Sequence, residues 1–491
     1  MAIAAIDTFA RLARKVDSLM RGLPVQTPAV EAEDVQGLVL RGYGNLPYAL
    51  YPLLRFTGPK SAGPWLKRYL ARIARGRPHE AGAQTEAFQI AFTPAGLTAL
   101  GMNADELHGF STEFLSGMVG PHRSRFLGDV DESAPEHWRW GGPKTDEVHA
   151  LLMVFAKTEA RLSELQAELR QSYVAHGVSE ISVLDTAELS RTEHFGFVDG
   201  ISQPAIDGYH STDSHLHKIK PGEFLLGYPN EYGLFTERPL LNGTRDPRGI
   251  LPLDAQGSPQ RDFGRNGTYL VLRQLRQNVP LFRETLDKLT RRADGSSNKE
   301  AQAYLAAQMV GRWPSGASLF EAPHADDVSK AHSNEFRYQA LDPVGARCPI
   351  GSHVRRANPR DALPPHEGTE YSLDVNRHHR LLRRGRVYGN ALPEGQVDNA
   401  DRGLMFVAIN GNISRQFEFI QHSWLNDPRF NGLSGQADPI VGASNDNQFA
   451  PSPKPVSAYC TGLPRFVTVT GGGYFFMPGI RALRFLSELT P

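Results

Sequence analysis

The 491-residue sequence predicts an α+β fold built in layers. Three observations carry this. Blocks of strand, helix and strand recur in both halves, the strands are mixed in pattern, and the chain is too long for one ordinary core. Mixed strands argue against a doubly wound parallel sheet.

Residues 1–20, MAIAAIDTFARLARKVDSLM, place Ile3, Ile6, Phe9, Leu12, Val16 and Leu19 at helical spacing. Asp7, Arg11, Arg14, Lys15 and Asp17 interrupt them, so the segment is not a signal peptide; it reads as a helix packed on the protein's own body, with a place on a membrane surface as the alternative. LPVQTPAVEAEDV, 23–35, reads as a linker. QGLVLRGYGNLPYALYPLLRF holds two apolar runs around a polar turn. GPWLKRYLARIARG puts Trp65, Leu66, Tyr69, Leu70 and Ile73 on one helical face. FQIAF, 88–92, alternates as a strand. Thr93 and Pro94 then supply an N-cap and a first helical residue. VHALLMVFA, 148–156, is a strand and KTEARLSELQAELR, 157–170, a helix. In the second half TYLVLRQL, 268–275, leads into a helix from Val279. GLMFVAIN, 403–410, leads into a helix over NISRQFEFIQHSW, 412–424, and RFVTVTGGGYFFMP, 465–478, reads as a strand pair. The stretches 104–147, 205–265 and 355–400 are loop-rich, and loops this long in a compact protein are functional or wrap something large.

Composition excludes several classes. Hydrophobic residues make up 40% and charged residues 22%, and the formal net charge is zero. There is no basic excess for nucleic acid and no polybasic tail for anionic lipid. Two cysteines, Cys348 and Cys460, form no disulfide framework and fit a reducing compartment. No run of about 18 apolar residues occurs, so no membrane span is expected. A cytoplasmic protein is the expectation.

The chemistry is not in the common motifs. No P-loop, GxSxG, HExxH, CxxC or dinucleotide-binding glycine turn occurs. Two other stretches stand out. HFGFVDGISQP, 194–204, sets Asp199 between glycines with Phe195, Phe197 and Ile201 around it; a surface turn is the plain reading. CPIGSHVRRANPR, 348–360, sets His353 before Arg355, Arg356 and Arg360. As a solvated basic turn it needs no function. Zinc needs more soft ligands than one distant second cysteine supplies. An imidazole on haem iron, with guanidiniums on the propionates, fits this composition. LLRRGRVYG, 381–389, reads either as a strand with charged ends or as an arginine entering a site.

Taken together, GFVDG, FLLGYP (224–229), CPIGSHVRRANPR, LLRRGRVYG and GLMFVAINGNISRQFEFIQ resemble the dye-decolorizing peroxidase family, from about Val35 to the C-terminus. The loop lengths resemble its longer, fungal-like class. The resemblance implies two ferredoxin-like modules with antiparallel sheets and peripheral helices, over 35–250 and 251–491, after an N-terminal helix and linker, 1–34. It places haem in the C-terminal module. It implies one non-covalent haem b, and no CxxCH is present for covalent attachment. His353 matches the axial iron ligand, Asp199 the distal acid-base residue and Arg383 the distal arginine, with Arg384 the weaker choice. Asp438, in GQADPIVG, matches the acid that bonds the proximal His. Arg360 matches a propionate arginine, Gly200 and Ile201 follow Asp199 along the haem, and Leu404 and Phe406 flank the distal pocket.

The implied reaction is reduction of hydrogen peroxide with one-electron oxidation of organic reductants such as dyes and phenolics. Asp199 shuttles the proton, Arg383 stabilises charge, and the glycines let the backbone approach the porphyrin. Bulky dyes are oxidised at surface tyrosines or tryptophans in this family, and Trp424, Tyr388, Trp138 and Trp140 are candidates by residue type. A haem carrier or iron-removing protein on the same fold is the alternative, and a non-haem protein with a degenerate pocket a third. The chain stops directly after RALRFLSELTP, so a cargo tail for a protein compartment is not expected.

Overall fold

The computed structural model describes residues 28–77, 84–212, 214–451 and 459–489. The N-terminal helix expected over residues 1–20 lies outside them. Nine strands form one sheet: β1 Tyr48–Phe56, β2 Glu86–Phe92, β3 Ala150–Ala156, β4 Val178–Asp185, β5 Thr268–Gln277, β6 Leu382–Arg383, β7 Arg386–Tyr388, β8 Gly403–Asn410 and β9 Val467–Met477. The order is β6-β8-β5-β9-β2-β3-β1-β4, with β7 also on β8. All pairings are antiparallel.

Each half follows β-α-β-β-α-β. From the outer edge the first half runs β4-β1-β3-β2. The second runs β9-β5-β8-β6 from the join, the same order of fourth, first, third and second strand. These are the two ferredoxin-like modules. They meet where Phe476 of β9 pairs with Phe92 of β2, so the two sheets are continuous.

Sequence patterns explain the packing. ALLMVFA of β3 is buried at every residue because both faces of the sheet are covered. One face takes Leu152 and Val154 against Trp65, Leu66, Leu165 and Leu169 of the helices. The other takes Leu151, Met153 and Phe155 against Leu38, Val39, Phe224 and Leu225 from loop-rich segments. The long loops are thus the second covering layer. Thr93 caps its helix as expected, its hydroxyl accepting from the Gly96 amide at 3.1 Å. The end of the expected linker is tied down: Val35 is buried and Asp34 accepts from Arg481 Nε at 2.8 Å.

Two local expectations are corrected. Residues 465–478 hold one strand, β9 over Val467–Met477, not a pair. Its glycines mark close approach, not a turn: a Cβ on Gly471 would meet the Trp140 indole nitrogen at 2.3 Å. The helix over 412–424 is wound widely, as two segments Ser414–Glu418 and Ile420–Leu425 with i→i+5 bonds, such as Glu418 N to Ile413 O at 3.0 Å. Wide turns of this kind collect at functional sites. Among the described residues no helix is long and apolar enough to cross a membrane.

Candidate active site

A cavity of about 290 Å³ separates the C-terminal half of the sheet from its helix layer. Leu275 on β5 and Leu404 and Phe406 on β8 line it from the sheet. These positions share one face because strand side chains alternate. Asp199, Gly200 and Ile201 enter on their turn, Arg383 from the edge strand β6, and His353 from the helix layer. Arg360 lines one end, while Asp438 sits behind His353 and outside the lining.

His353 opens the helix His353–Ala357 behind the cap residue Ser352. Its Nδ1 is 2.9 Å from Asp438 Oδ2, which leaves Nε2 for another partner. The other Asp438 oxygen accepts the amides of Ile440 and Val441 at 2.8 and 2.9 Å, so the backbone holds the carboxylate independently of the imidazole. Burial pushes the Asp438 carboxyl up, but His353, Arg356 and the Val441 amide outweigh it and hold it below its ordinary value. Burial would depress the imidazole, and Asp438 reverses this, holding His353 above its usual value.

Asp199 Oδ1 accepts from Arg383 Nη1 at 2.7 Å and from the Gly200 amide at 2.5 Å. The Asp199 side chain keeps 44% of its accessibility and lines the cavity. Burial raises its pKa, but Arg383 and the Gly200 amide overcome this and hold the carboxyl below its ordinary value. Gly200 has φ +85°, a conformation for glycine, and a Cβ there would enter open space. The side-chain amide of Gln203 holds the Arg383 backbone on both sides, accepting its N–H at 3.1 Å and donating to its carbonyl at 3.2 Å. Arg384 turns away, donating to the carbonyls of Leu38 and Val39 at 2.8 and 3.2 Å. Asn358 Nδ2 donates to Ser202 Oγ at 3.1 Å, tying the two motif loops together.

At the cavity end occupied by Arg360, three guanidiniums converge. Arg360 donates to the carbonyls of Asn334 and Phe336, both at 2.8 Å, and its φ of +57° is a strained setting for a side-chain residue. Arg312 donates to the carbonyls of Gly316 and Ser333. Arg380 donates to the Leu216 carbonyl at 3.2 Å, and its buried Nη2 has no hydrogen-bond partner among the described residues. Among the described residues none of the three is paired with a carboxylate. Burial and the neighbouring positive charges push Arg380 down to about 9, and burial pushes Arg312 down to about 10. Such a cluster fits a dianion. Sequence reasoning found Arg360 alone. Arg312 and Arg380 reach the cluster from remote segments, and no local spacing announces that.

The four aromatic candidates for surface oxidation are corrected. Trp424, Trp138 and Tyr388 are each 5% exposed and Trp140 2%, so none is a surface residue. Their polar atoms are used inward: Trp140 Nε1 donates to Gln274 at 2.9 Å and Trp138 Nε1 to the Ser133 carbonyl at 2.8 Å.

No protein-family model matches the chain. Individual relatives do. A dye-decolorizing peroxidase of Mycena epipterygia is 31% identical over 443 residues, covering 81% of this chain and 75% of its own. Peroxidase 2 of Mycetinis scorodonius is 31% identical over 438 residues, 82% of this chain and 76% of the relative. Among solved structures, a decolorizing peroxidase from Auricularia auricula-judae aligns with a TM-score of 0.77 at 24% identity, over 94% of this chain and all (100%) of that one. A dye-decolorizing peroxidase in complex with 2,6-dimethoxyphenol aligns at 0.75 and 24% over the same shares, 94% and 100%. The solved structures establish the fold. The curated relatives show that the chain belongs to the dye-decolorizing peroxidase family, oxidoreductases that act on peroxide.

Proposed function

We propose that the protein is a haem b peroxidase with His353 as the axial ligand, Asp199 as the acid-base group and Arg383 as the charge stabiliser. One observation carries the reading: the His353–Asp438 pair and the Asp199–Arg383 pair line or back one cavity, from the helix layer and the turn respectively. The residues fit the cofactor. The Gly200 backbone leaves room for a flat group, Ile201, Leu404 and Phe406 offer apolar surface, and Arg360, Arg312 and Arg380 would hold the two propionates without covalent attachment.

When bound, the haem supplies two electrons to hydrogen peroxide and recovers them singly from an organic reductant. The side chains do the rest. Asp199 is ionised over most of the pH range because Arg383 stabilises its anion. It takes the proton from one peroxide oxygen and delivers it to the other, whose departure as water needs that proton. Arg383 lies on the same carboxylate and opposes the negative charge that builds up as the O–O bond breaks. Asp438 fixes the proton on His353 Nδ1 and makes the imidazole more basic. Phenolics and dyes are the proposed reductants, supported by the relatives' names and by the 2,6-dimethoxyphenol complex of a structural neighbour.

The test is a spectrum and a turnover assay on the haem-loaded protein. Wild type should show a Soret band that changes on adding peroxide and should oxidise a phenol or dye repeatedly. His353→Ala should lose the band or hold haem weakly. A His353→Ala protein with the wild-type spectrum would remove the assignment.

A further inference from the structure

The turn that presents Asp199 is closed around a second carboxylate. Glu193 Oε2 accepts the Phe195 amide at 2.8 Å and Oε1 the Phe197 amide at 2.9 Å. The Glu193 amide donates back to the Phe197 carbonyl at 3.0 Å, and Thr192 bridges to Val198. Gly196 lies between the two bonded amides at φ +100°, a setting that lets successive amides turn inward. A third donor comes from outside the turn: Gln277 Nε2 lies 2.5 Å from Glu193 Oε2. Gln277 is on the cavity-facing side of β5, two residues beyond Leu275, and both it and Glu193 line the cavity.

Burying a carboxylate is costly, and burial does push the Glu193 carboxyl above its ordinary value. A turn needs no such group to close. What Glu193 adds is a fixed link from the amides of Phe195 and Phe197 to the sheet, and Asp199 is two residues further on. We propose that Glu193, held by Gln277, is a positioning residue that sets the Asp199 carboxylate against Arg383. This rests on the reading of Asp199 as the proton-transfer group.

The charged groups facing Asp199 are Arg383 from β6, His353 from the helix layer and Glu193 from its own turn. They give the proposal a sign. If the turn loosens, Asp199 drifts from Arg383 and loses its positive neighbour, so it protonates at higher pH. Removing the Glu193 charge alone would not move that limb, because a carboxyl held above its ordinary value is already neutral where Asp199, held below its own, takes its proton. An upward shift therefore separates positioning from simple charge removal.

The experiment compares haem-loaded Gln277→Leu, Glu193→Gln and Glu193→Leu with wild type. The rate of the absorbance change on mixing with hydrogen peroxide is followed over about pH 3 to 7, around the carboxylate range. A misplacement of about 1 Å can cost about 10²-fold. Gln277→Leu and Glu193→Leu should lose about 10-fold or more in rate, and their acid limbs should move to higher pH with the Soret band unchanged. Glu193→Gln, which keeps one acceptor oxygen, should fall between these and wild type. A rate loss with an unmoved limb, a limb moved downward, or no rate loss would each overturn the proposal. If Glu193→Leu fails to fold, Gln277→Leu decides by the same criteria. Asp199→Asn is run beside them. If it leaves rate and limb intact, the function proposed for Asp199 fails. If it flattens the limb while Gln277→Leu matches wild type, only the positioning role fails.

Discussion

In the N-terminal half, the helix-facing side of β1 carries Leu50, Leu54 and Phe56, all in one packed core. The corresponding strand of the C-terminal half, β5, carries Arg273, Leu275 and Gln277 into a cavity. The third strands differ in the same way: Leu152 and Val154 of β3 are fully buried, whereas Leu404 and Phe406 of β8 border open space. Strand order is the same in both halves, so topology does not decide which one has a site. The connections do. In the first half the crossover from β1 to β2 carries the helix Pro59–Tyr69, and its Trp65 and Leu66 share one core with Phe88, Leu152 and Val154 of the sheet. In the second half the crossover from β5 to β6 runs from 278 to 381. It carries Arg312, His353, Arg360 and Arg380, and it stands off the sheet far enough to leave a cavity.

This contrast can be tested by perturbing each half. The largest effect on chemistry is expected at Asp199. Asp199→Asn should slow the reaction with peroxide by about 10²- to 10⁴-fold, measured by stopped-flow absorbance, with thermal stability little changed because the side chain faces the cavity. Arg383→Leu should cost about 10²- to 10³-fold in the same assay. In the packed half the balance reverses. Phe88 is fully buried, so Phe88→Ala should cost about 3–5 kcal/mol in denaturant unfolding while leaving the peroxide rate per bound haem unchanged. Leu404→Ala should cost less than about 2 kcal/mol, below the usual range for a packed leucine, and should alter the peroxide rate. Equal stability losses at Phe88 and Leu404 would break the comparison. The smallest effect is expected at Asp438. Asp438→Asn leaves a neutral partner on His353 and should raise the Fe(III)/Fe(II) potential; spectroelectrochemistry would measure it, and an unchanged potential would remove Asp438 from the proposed ligand chemistry.

What could be read from the sequence follows from how local each signal is. Strands such as GLMFVAIN and the Thr93-Pro94 helix start were legible because alternation and capping act over a few residues. RFVTVTGGGYFFMP was misread as two strands; the reason for its glycines, the approach of Trp140, lies more than 300 residues away. The wide winding at 414–425 has no signature in apolar spacing. In the candidate site, His353, Asp199, Arg383 and Asp438 were named through motif resemblance; residue chemistry alone left a basic turn and a surface turn open. Arg312 and Arg380 were not legible, since only the long crossover brings them to Arg360. The burial of Trp424, Trp138, Trp140 and Tyr388 was not legible either, because residue type does not say which aromatics the sheet will cover.

The most direct test of the account is the pH dependence of the peroxide reaction in haem-loaded wild type, Asp199→Asn and Arg383→Leu. Arg383 holds the Asp199 carboxyl below its ordinary value, so the base form persists into acid. The wild-type rate should fall only as pH drops through that lowered value, because protonation removes the base. Asp199→Asn should be slow with no acid limb. Arg383→Leu should be slow with its limb moved to higher pH, since the carboxylate has lost its positive neighbour. If Asp199→Asn keeps the wild-type rate and limb, Asp199 is not the proton-transfer group and the account is contradicted.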